Sequence, residues 1–301
     1  MKFITRRQAL KKGGLYLLGT AAFTAFPGFG IGCSQSGVDQ EKASVLMQEI
    51  RKAPAHGIRL TVVYDNVPYR KGVRTDWGYS CLVEGLDKTI LFDTGRYDDL
   101  LMANLSQLEI APKQIDALFI YHDHPDHVGG AMAVLNARPA VDVALVESFP
   151  SGFKNAIEKR GGSAREIGPP RTISNNCLST GEMRSWVRNE HALIIPTDQG
   201  SIILTGCAHP GVVEIVELAK AITQEDVLLV AGGFHLLMDH ASSIRKKTAR
   251  LKQLGVKHVA PSHCTGSEAM GILAEVFGDR FIQSGAGRIV TADDLSISRR
   301  V

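Results

Sequence analysis

From Ile58 onward, short apolar runs alternate with amphipathic stretches. Ile58–Tyr64, Tyr79–Glu84 and Thr89–Phe92 are dense in Val, Ile, Leu and aromatic residues and predict three strands close together in sequence. Asp98–Leu108 then predicts a helix, Ala117–Tyr121 a buried strand, Gly130–Ala137 a short helix and Val141–Glu147 another strand. Residues 150–190, interrupted by Gly161-Gly162 and Pro169-Pro170, read as irregular. His191–Ile195 and Ser201–Thr205 predict paired strands around an Asp198-Gln199-Gly200 turn. Apolar residues at 212, 213, 215, 216 and 219 mark one face of a helix over Val212–Ile222. Strand Val227–Ala231, helix Ser242–Leu254, strand His258–Ala260, helix Ser267–Phe277 and terminal strands complete the pattern. Strands come first as pairs and then alternate with helices, so both sheet faces need helical cover. The expected fold is α/β, a layered sandwich formed by residues 56–301, with no repeat at a fixed short period.

The beginning of the chain has a different character. Residues 1–12 carry five positive charges and no acid, and Gly13 to Gly32 carry none at all. A basic start followed by an apolar run is the pattern of a secretory signal. The Arg6-Arg7 pair within residues 5–11 resembles a twin-arginine signal, which implies the Tat export machinery as a partner. Cys33, preceded by Gly30-Ile31-Gly32 and followed by Ser34-Gln35-Ser36-Gly37, resembles a lipoprotein site. An uncleaved membrane helix is the competing reading, weakened by Pro27 and several glycines. The expected division is a signal at 1–33, a polar tether at 34–55 with a short helix around Ala43–Lys52, and one folded domain. The location is then periplasmic or otherwise extracytoplasmic, with anchoring through Cys33 or the apolar segment.

This segment also accounts for the charge. The chain as a whole is +3, less than its first twelve residues contribute, so the remainder is slightly acidic and a nucleic-acid partner is not indicated. A hydrophobic fraction of 44% with 22% charged residues excludes a disordered chain. The five cysteines show neither a CxxC zinc pair nor a dense disulfide framework.

Candidate chemistry follows the buried strand at 117–121. Residues 121–130 read Tyr-His-Asp-His-Pro-Asp-His-Val-Gly-Gly, placing His122, His124, Asp126 and His127 within six positions. Imidazole and carboxylate donors at this density suit a borderline metal such as zinc. In an extended loop His122 and His124 reach one ion, and Asp126 and His127 reach a second on the other side.

This HxHxDH run, with Leu91-Phe92-Asp93-Thr94-Gly95 upstream and Pro261-Ser262-His263-Cys264 downstream, resembles the metallo-β-lactamase superfamily over residues 56–295. The resemblance implies a four-layer αββα sandwich, a binuclear site at the sheet edges, support of the metal loop by Asp93, and His263 as the last metal ligand. Asp65-Asn66, Trp77-Gly78-Tyr79-Ser80, Thr205 to Gly211, Gly232-Gly233-Phe234-His235 and Ser262 to Gly266 are similar to one branch. That branch includes proteins named as a dihydropterin–ribofuranosylaminobenzene-phosphate synthase, alongside many metal-dependent hydrolases.

The middle of the chain departs from the family pattern. Cys207 follows Thr205-Gly206 where a metal-bridging Asp is usual, and no PGH-type histidine precedes it. Cys207, His209 or both complete the ligand set; the competing reading of Cys207 is a small buried residue at a strand end. His235 is expected at a strand end near the site as ligand, proton donor or supporting group. His56, His191, His240 and His258 read as surface or loop residues and Cys264 as packing.

The expected activity is hydrolysis of an ester, lactone or phosphoester-type bond in a small-molecule substrate. Two divalent ions, zinc with iron or manganese as rivals, activate water; Asp126 orients it and His235 protonates the leaving group. Redox relatives carry Glu where His124 stands, which disfavours an oxidoreductase. A non-catalytic metal- or ligand-binding lipoprotein and a pterin/phosphate-linked transferase are the alternatives.

Overall fold

The structure, a computed structural model, describes residues 39–295. The signal-like residues 1–33, including Arg6, Arg7 and Cys33, lie outside the described residues. In chain order the elements are α1 (Gln40–Glu49), β1 (Arg59–Asp65), β2 (Tyr79–Glu84), β3 (Ile90–Phe92), α2 (Asp98–Gln107), β4 (Ala117–Phe119), α3 (Pro125–Val128) and α4 (Ala131–Ala137). They continue with β5 (Asp142–Val146), α5 (Ser151–Glu158), β6 (Ser163–Ile167), β7 (Arg171–Ser174), β8 (Cys177–Ser179), β9 (Leu193–Ile195) and β10 (Ser201–Thr205). The last are α6 (Val212–Thr223), β11 (Val227–Gly233), α7 (Ala241–Gln253), β12 (His258–Ser262), α8 (Ser267–Phe277) and β13 (Ile289–Val290).

Two sheets form, ordered β13-β1-β2-β3-β4-β5-β6 and β12-β11-β10-β9-β8-β7. The period-two alternation of strands decides which residues face which layer. In β2 and β3, Leu82 and Leu91 join an outer cluster with Leu101, Leu105 and Val134 of α2 and α4. Their neighbours Val83, Ile90 and Phe92 turn into the cluster shared with Ile194, Ile203 and Val230 of the second sheet. Helices α6, α7 and α8 add Ile215, Ile244 and Leu273 to that cluster. The result is the four-layer αββα sandwich.

Two stretches differ from the sequence expectation. Residues 150–190 hold α5, β6, β7 and β8 rather than irregular chain. Both β6 and β7 are edge strands, so their residues are half-exposed and polar and no apolar run marks them. Arg165 of β6 instead donates to the carbonyls of Thr172 and Ile173 on β7, at 2.6 and 3.1 Å, joining the two sheet edges. The tether assigned to 34–55 is, from Gln40, part of the domain. Asp39 caps α1 by accepting from Lys42 N at 3.3 Å, Ala43 is buried, and Ile50, Ala53 and Ala55 lie in the main core. Among the described residues no helix is long and apolar enough to cross a membrane.

Strand direction brings the chemistry to one edge. β3 and β4 run parallel to each other, as do β10, β11 and β12. Their C-terminal ends deliver Asp93, His122, Cys207, His235 and His263, the loops in which open α/β sheets bind ligands.

Candidate metal centre

The loop after β4 is pinned before any ion is considered. Buried Asp93, at the end of β3, accepts from Tyr121 N at 2.7 Å and pairs with His127 Nδ1 at 2.6 Å. Thr94 Oγ1 and Thr94 N both donate to His127 O at 2.8 Å. Pro125 opens the short α3, which turns Asp126 and His127 away from the extended His122–His124 stretch. Gly206 is required beside this loop: a Cβ there would lie 2.6 Å from the Tyr121 ring and 2.9 Å from Asp93 Oδ2.

Two sets of donors result. His122, His124 and His209 bring their ligand atoms within 4.8 Å of one another, and so do Asp126, His127 and His263. Cys207 forms a further set with His122 and His127, and its Sγ lies 3.3 Å from His127 Nε2. The structure thus gathers His122, His124, Asp126, His127, Cys207, His209 and His263 in one place. His235 is exposed at its margin, its ring 4.6 Å from that of His209. Cys264, expected as packing, belongs to the donor cluster too, grouped with Cys207 and His263, and its thiol donates to Cys207 O at 3.5 Å.

The donors fit a metal. Both ring nitrogens of His122 and Nε2 of His263 are buried without a hydrogen-bond partner among the described residues. Buried polar atoms are seldom left so, and an ion is the natural partner for unpaired imidazole lone pairs. Burial lowers the basicity of His122, His127 (to about 3) and His209 (to about 4), reinforced by neighbouring imidazoles, so these rings are neutral ligands at pH 7. Burial alone would raise the Asp126 carboxyl; the imidazoles of His263, with Nε2 3.4 Å away, and of His127 outweigh it and hold it below the usual range.

Residues behind the donors fix their orientation, and here the sequence reading was least informed. Glu190 is fully buried, accepting from Tyr121 Oη at 2.6 Å and pairing with His209 Nδ1 at 2.8 Å. Tyr121 Oη also accepts from Ala208 N at 3.1 Å. Asn66 Oδ1 pairs with His263 Nδ1 at 2.8 Å, leaving Nε2 to face Asp126 at 3.4 Å. Asp65 accepts from Ser262 Oγ and, at 3.3 Å, from His263 N. Asp93, Ala208, His235 and His263 all have φ between 50° and 65°, a conformation that costs non-glycine residues energy and clusters at functional sites.

Two histidines expected at the surface are buried. His191 lies between Ser179 Oγ and Ile120 O, both 2.9 Å from its ring nitrogens, and stacks on Phe119 at 4.0 Å. His258 sits at the start of β12 with Nδ1 donating to Leu228 O at 3.2 Å. Both are buried, His191 with both nitrogens hydrogen-bonded; His56 and His240 are exposed.

Residues 77–219 match the family model for the metallo-beta-lactamase superfamily. The chain carries a metallo-beta-lactamase domain. A 7,8-dihydropterin-6-methyl-4-(beta-D-ribofuranosyl)-aminobenzene-5'-phosphate synthase of Methanocaldococcus jannaschii is 29% identical over 278 residues, spanning 76% of this chain and 95% of the relative. The crystal structure of Tm1679, a metal-dependent hydrolase of the beta-lactamase superfamily, aligns with a TM-score of 0.65 at 25% identity, over 77% of this chain and 98% of that one. YhfI of Bacillus subtilis, a metallo-beta-lactamase fold protein, aligns at 0.59 with 14% identity over 77% and 98%, a likeness of fold.

Within the metallo-beta-lactamase domain, Glu190 holds His209 as a carboxylate behind a ligating imidazole does. Glu190→Gln is expected to weaken metal retention about 10–100-fold while secondary structure is unchanged. Competition with a chromogenic chelator, alongside circular dichroism, checks this.

Proposed function

We propose that this protein is a metal-dependent hydrolase with a binuclear centre suited to zinc. His122, His124 and His209 would hold one ion, and Asp126, His127 and His263 the other, with the Cys207 thiol beside both sets. The observation that carries the reading is the buried, unpartnered nitrogens of His122 and His263 facing a ring of neutral imidazoles and one ionised carboxylate. Iron and manganese accept the same nitrogen and oxygen donors; the Cys207 thiol shifts the preference toward zinc.

When bound, such ions supply Lewis acidity and a water of lowered pKa. The protein supplies the rest. Asp126 lies 3.6 Å from His127 Nε2 and 3.4 Å from His263 Nε2, and its ionised carboxylate accepts a hydrogen bond from the attacking water and orients it. His235 is at the open side of the cluster, and the hydrogen bond with Cys264 raises its proton affinity against the opposing effect of burial. It holds a proton for the leaving group. Asn66 and Glu190 keep His263 and His209 from rotating.

The substrate bond would be an ester, lactone or phosphoester. The synthase-named relative favours a second reading, a pterin- and phosphate-linked transferase whose product is the compound in that relative's name. A panel of chromogenic esters, lactones and phosphodiesters offered to the zinc-loaded protein separates them. Turnover of at least one, lost with chelator, is the expected result. A silent panel with formation of the synthase product would favour the second reading; silence in both, with metal bound, would favour a binding protein.

A further inference from the structure

Asp123 stands between His122 and His124 but belongs to none of the donor sets. Its carboxylate instead pairs with Arg188 Nε at 3.2 Å. Arg188 is half-exposed, and among the described residues its two Nη groups have no partner. It lines a cavity of about 230 Å³ together with Asp123, Ser148, Phe149, Ser185 and Asn189. Phe149 and the nearby Val146 are buried apolar walls.

The segment that presents Arg188 is held firmly. Met183 and Glu190 exchange both backbone hydrogen bonds, at 2.7 and 3.1 Å. Inside that closure Ser185 Oγ donates to Arg188 O at 2.7 Å and accepts from Val187 N and Arg188 N at 3.1 and 3.0 Å. Asn189 Nδ2 donates to Glu182 Oε1 at 2.6 Å. Glu190, at the base of the same loop, holds His209. The guanidinium is therefore fixed to the metal centre twice, through Asp123 within the metal loop and through Glu190 behind a ligand. A planar fork with its outer edge free, set beside a cavity, is built for a two-oxygen anion.

We propose that Arg188 and this cavity form a subsite for an anionic end of the substrate, a carboxylate or a phosphate, held while the scissile bond lies at the donor cluster. The anion site stands apart from the hydrolase reading; only its use during bond cleavage rests on that reading. The test uses three esters with one chromogenic leaving group, their acyl chains ending in a carboxylate, a phosphonate or a methyl ester. Arg188→Met is expected to raise KM at least tenfold for one or both charged esters, with kcat within twofold and the neutral ester unaffected. The larger of the two charged effects identifies the anion. An equal change for all three esters, or none, overturns the subsite. Equilibrium dialysis of glutarate and methylphosphonate against the full chain gives a readout independent of turnover. Binding lost in both Arg188→Met and Arg188→Gln supports the subsite even if no ester is cleaved. Binding retained in both overturns it even if esters are cleaved.

Discussion

His122→Ala is expected to leave the protein folded, with less than one-tenth of the wild-type metal and turnover reduced at least a thousandfold. The imidazole is fully buried, makes no hydrogen bond through either nitrogen, and shares donor sets with His124 and His209 on one side and His127 and Cys207 on the other. Its removal deletes a ligand without leaving an unpaired protein donor behind, so the structural cost is a small cavity, about 1–3 kcal/mol. The chemical cost is larger: a three-donor set reduced to two loses the ion, and with it the activated water. Elemental analysis, steady-state turnover and a urea melt on the same preparation check all three parts. Full metal content in the variant, or normal turnover without metal, would contradict the ligand role.

The second large effect is on stability. Asp93→Ala is expected to destabilise the fold by about 3–5 kcal/mol, a large part of the 5–15 kcal/mol available to an ordinary domain. Asp93 is buried and takes two close contacts, from Tyr121 N and His127 Nδ1. Alanine leaves both donors buried and unsatisfied, at about 1–3 kcal/mol each. It also keeps the unfavourable φ of 53° without the interactions that hold it there. Asp93→Asn keeps the shape and one acceptor, and a loss of about 1–2 kcal/mol is expected. Urea unfolding of metal-free protein measures the difference; equal stability of wild type and Asp93→Ala would show that the loop is not anchored by this carboxylate.

The two effects separate what was legible in the sequence from what was not. The loop at 122–127 carries its donors in consecutive positions, so spacing alone brings them together, and apolar strands of the inner sheets announce themselves by composition. The 93 and 263 positions were legible only through a resemblance, because one Asp and one His far apart in sequence carry no periodic signal. Glu190 was not legible at all. It lies outside any regular element, and a carboxylate that supports a ligand is distinguished only by burial and by its partners Tyr121 and His209. The same limit hid β6 and β7, whose edge positions spare them the need for an apolar run, and β8, which is only three residues long. It hid the burial of His191 and His258 as well, since a histidine bonded to a serine hydroxyl or a backbone carbonyl looks in sequence like any other. Cys264, adjacent to His263, belongs to the cluster because β10 and β12, flanking β11, end at the same sheet edge.

The most direct test is anomalous diffraction at the zinc edge from crystals grown with zinc. The account predicts two peaks, one within bonding distance of His122, His124 and His209 and the other of Asp126, His127 and His263. A folded protein with no anomalous peak within reach of either histidine set would contradict it.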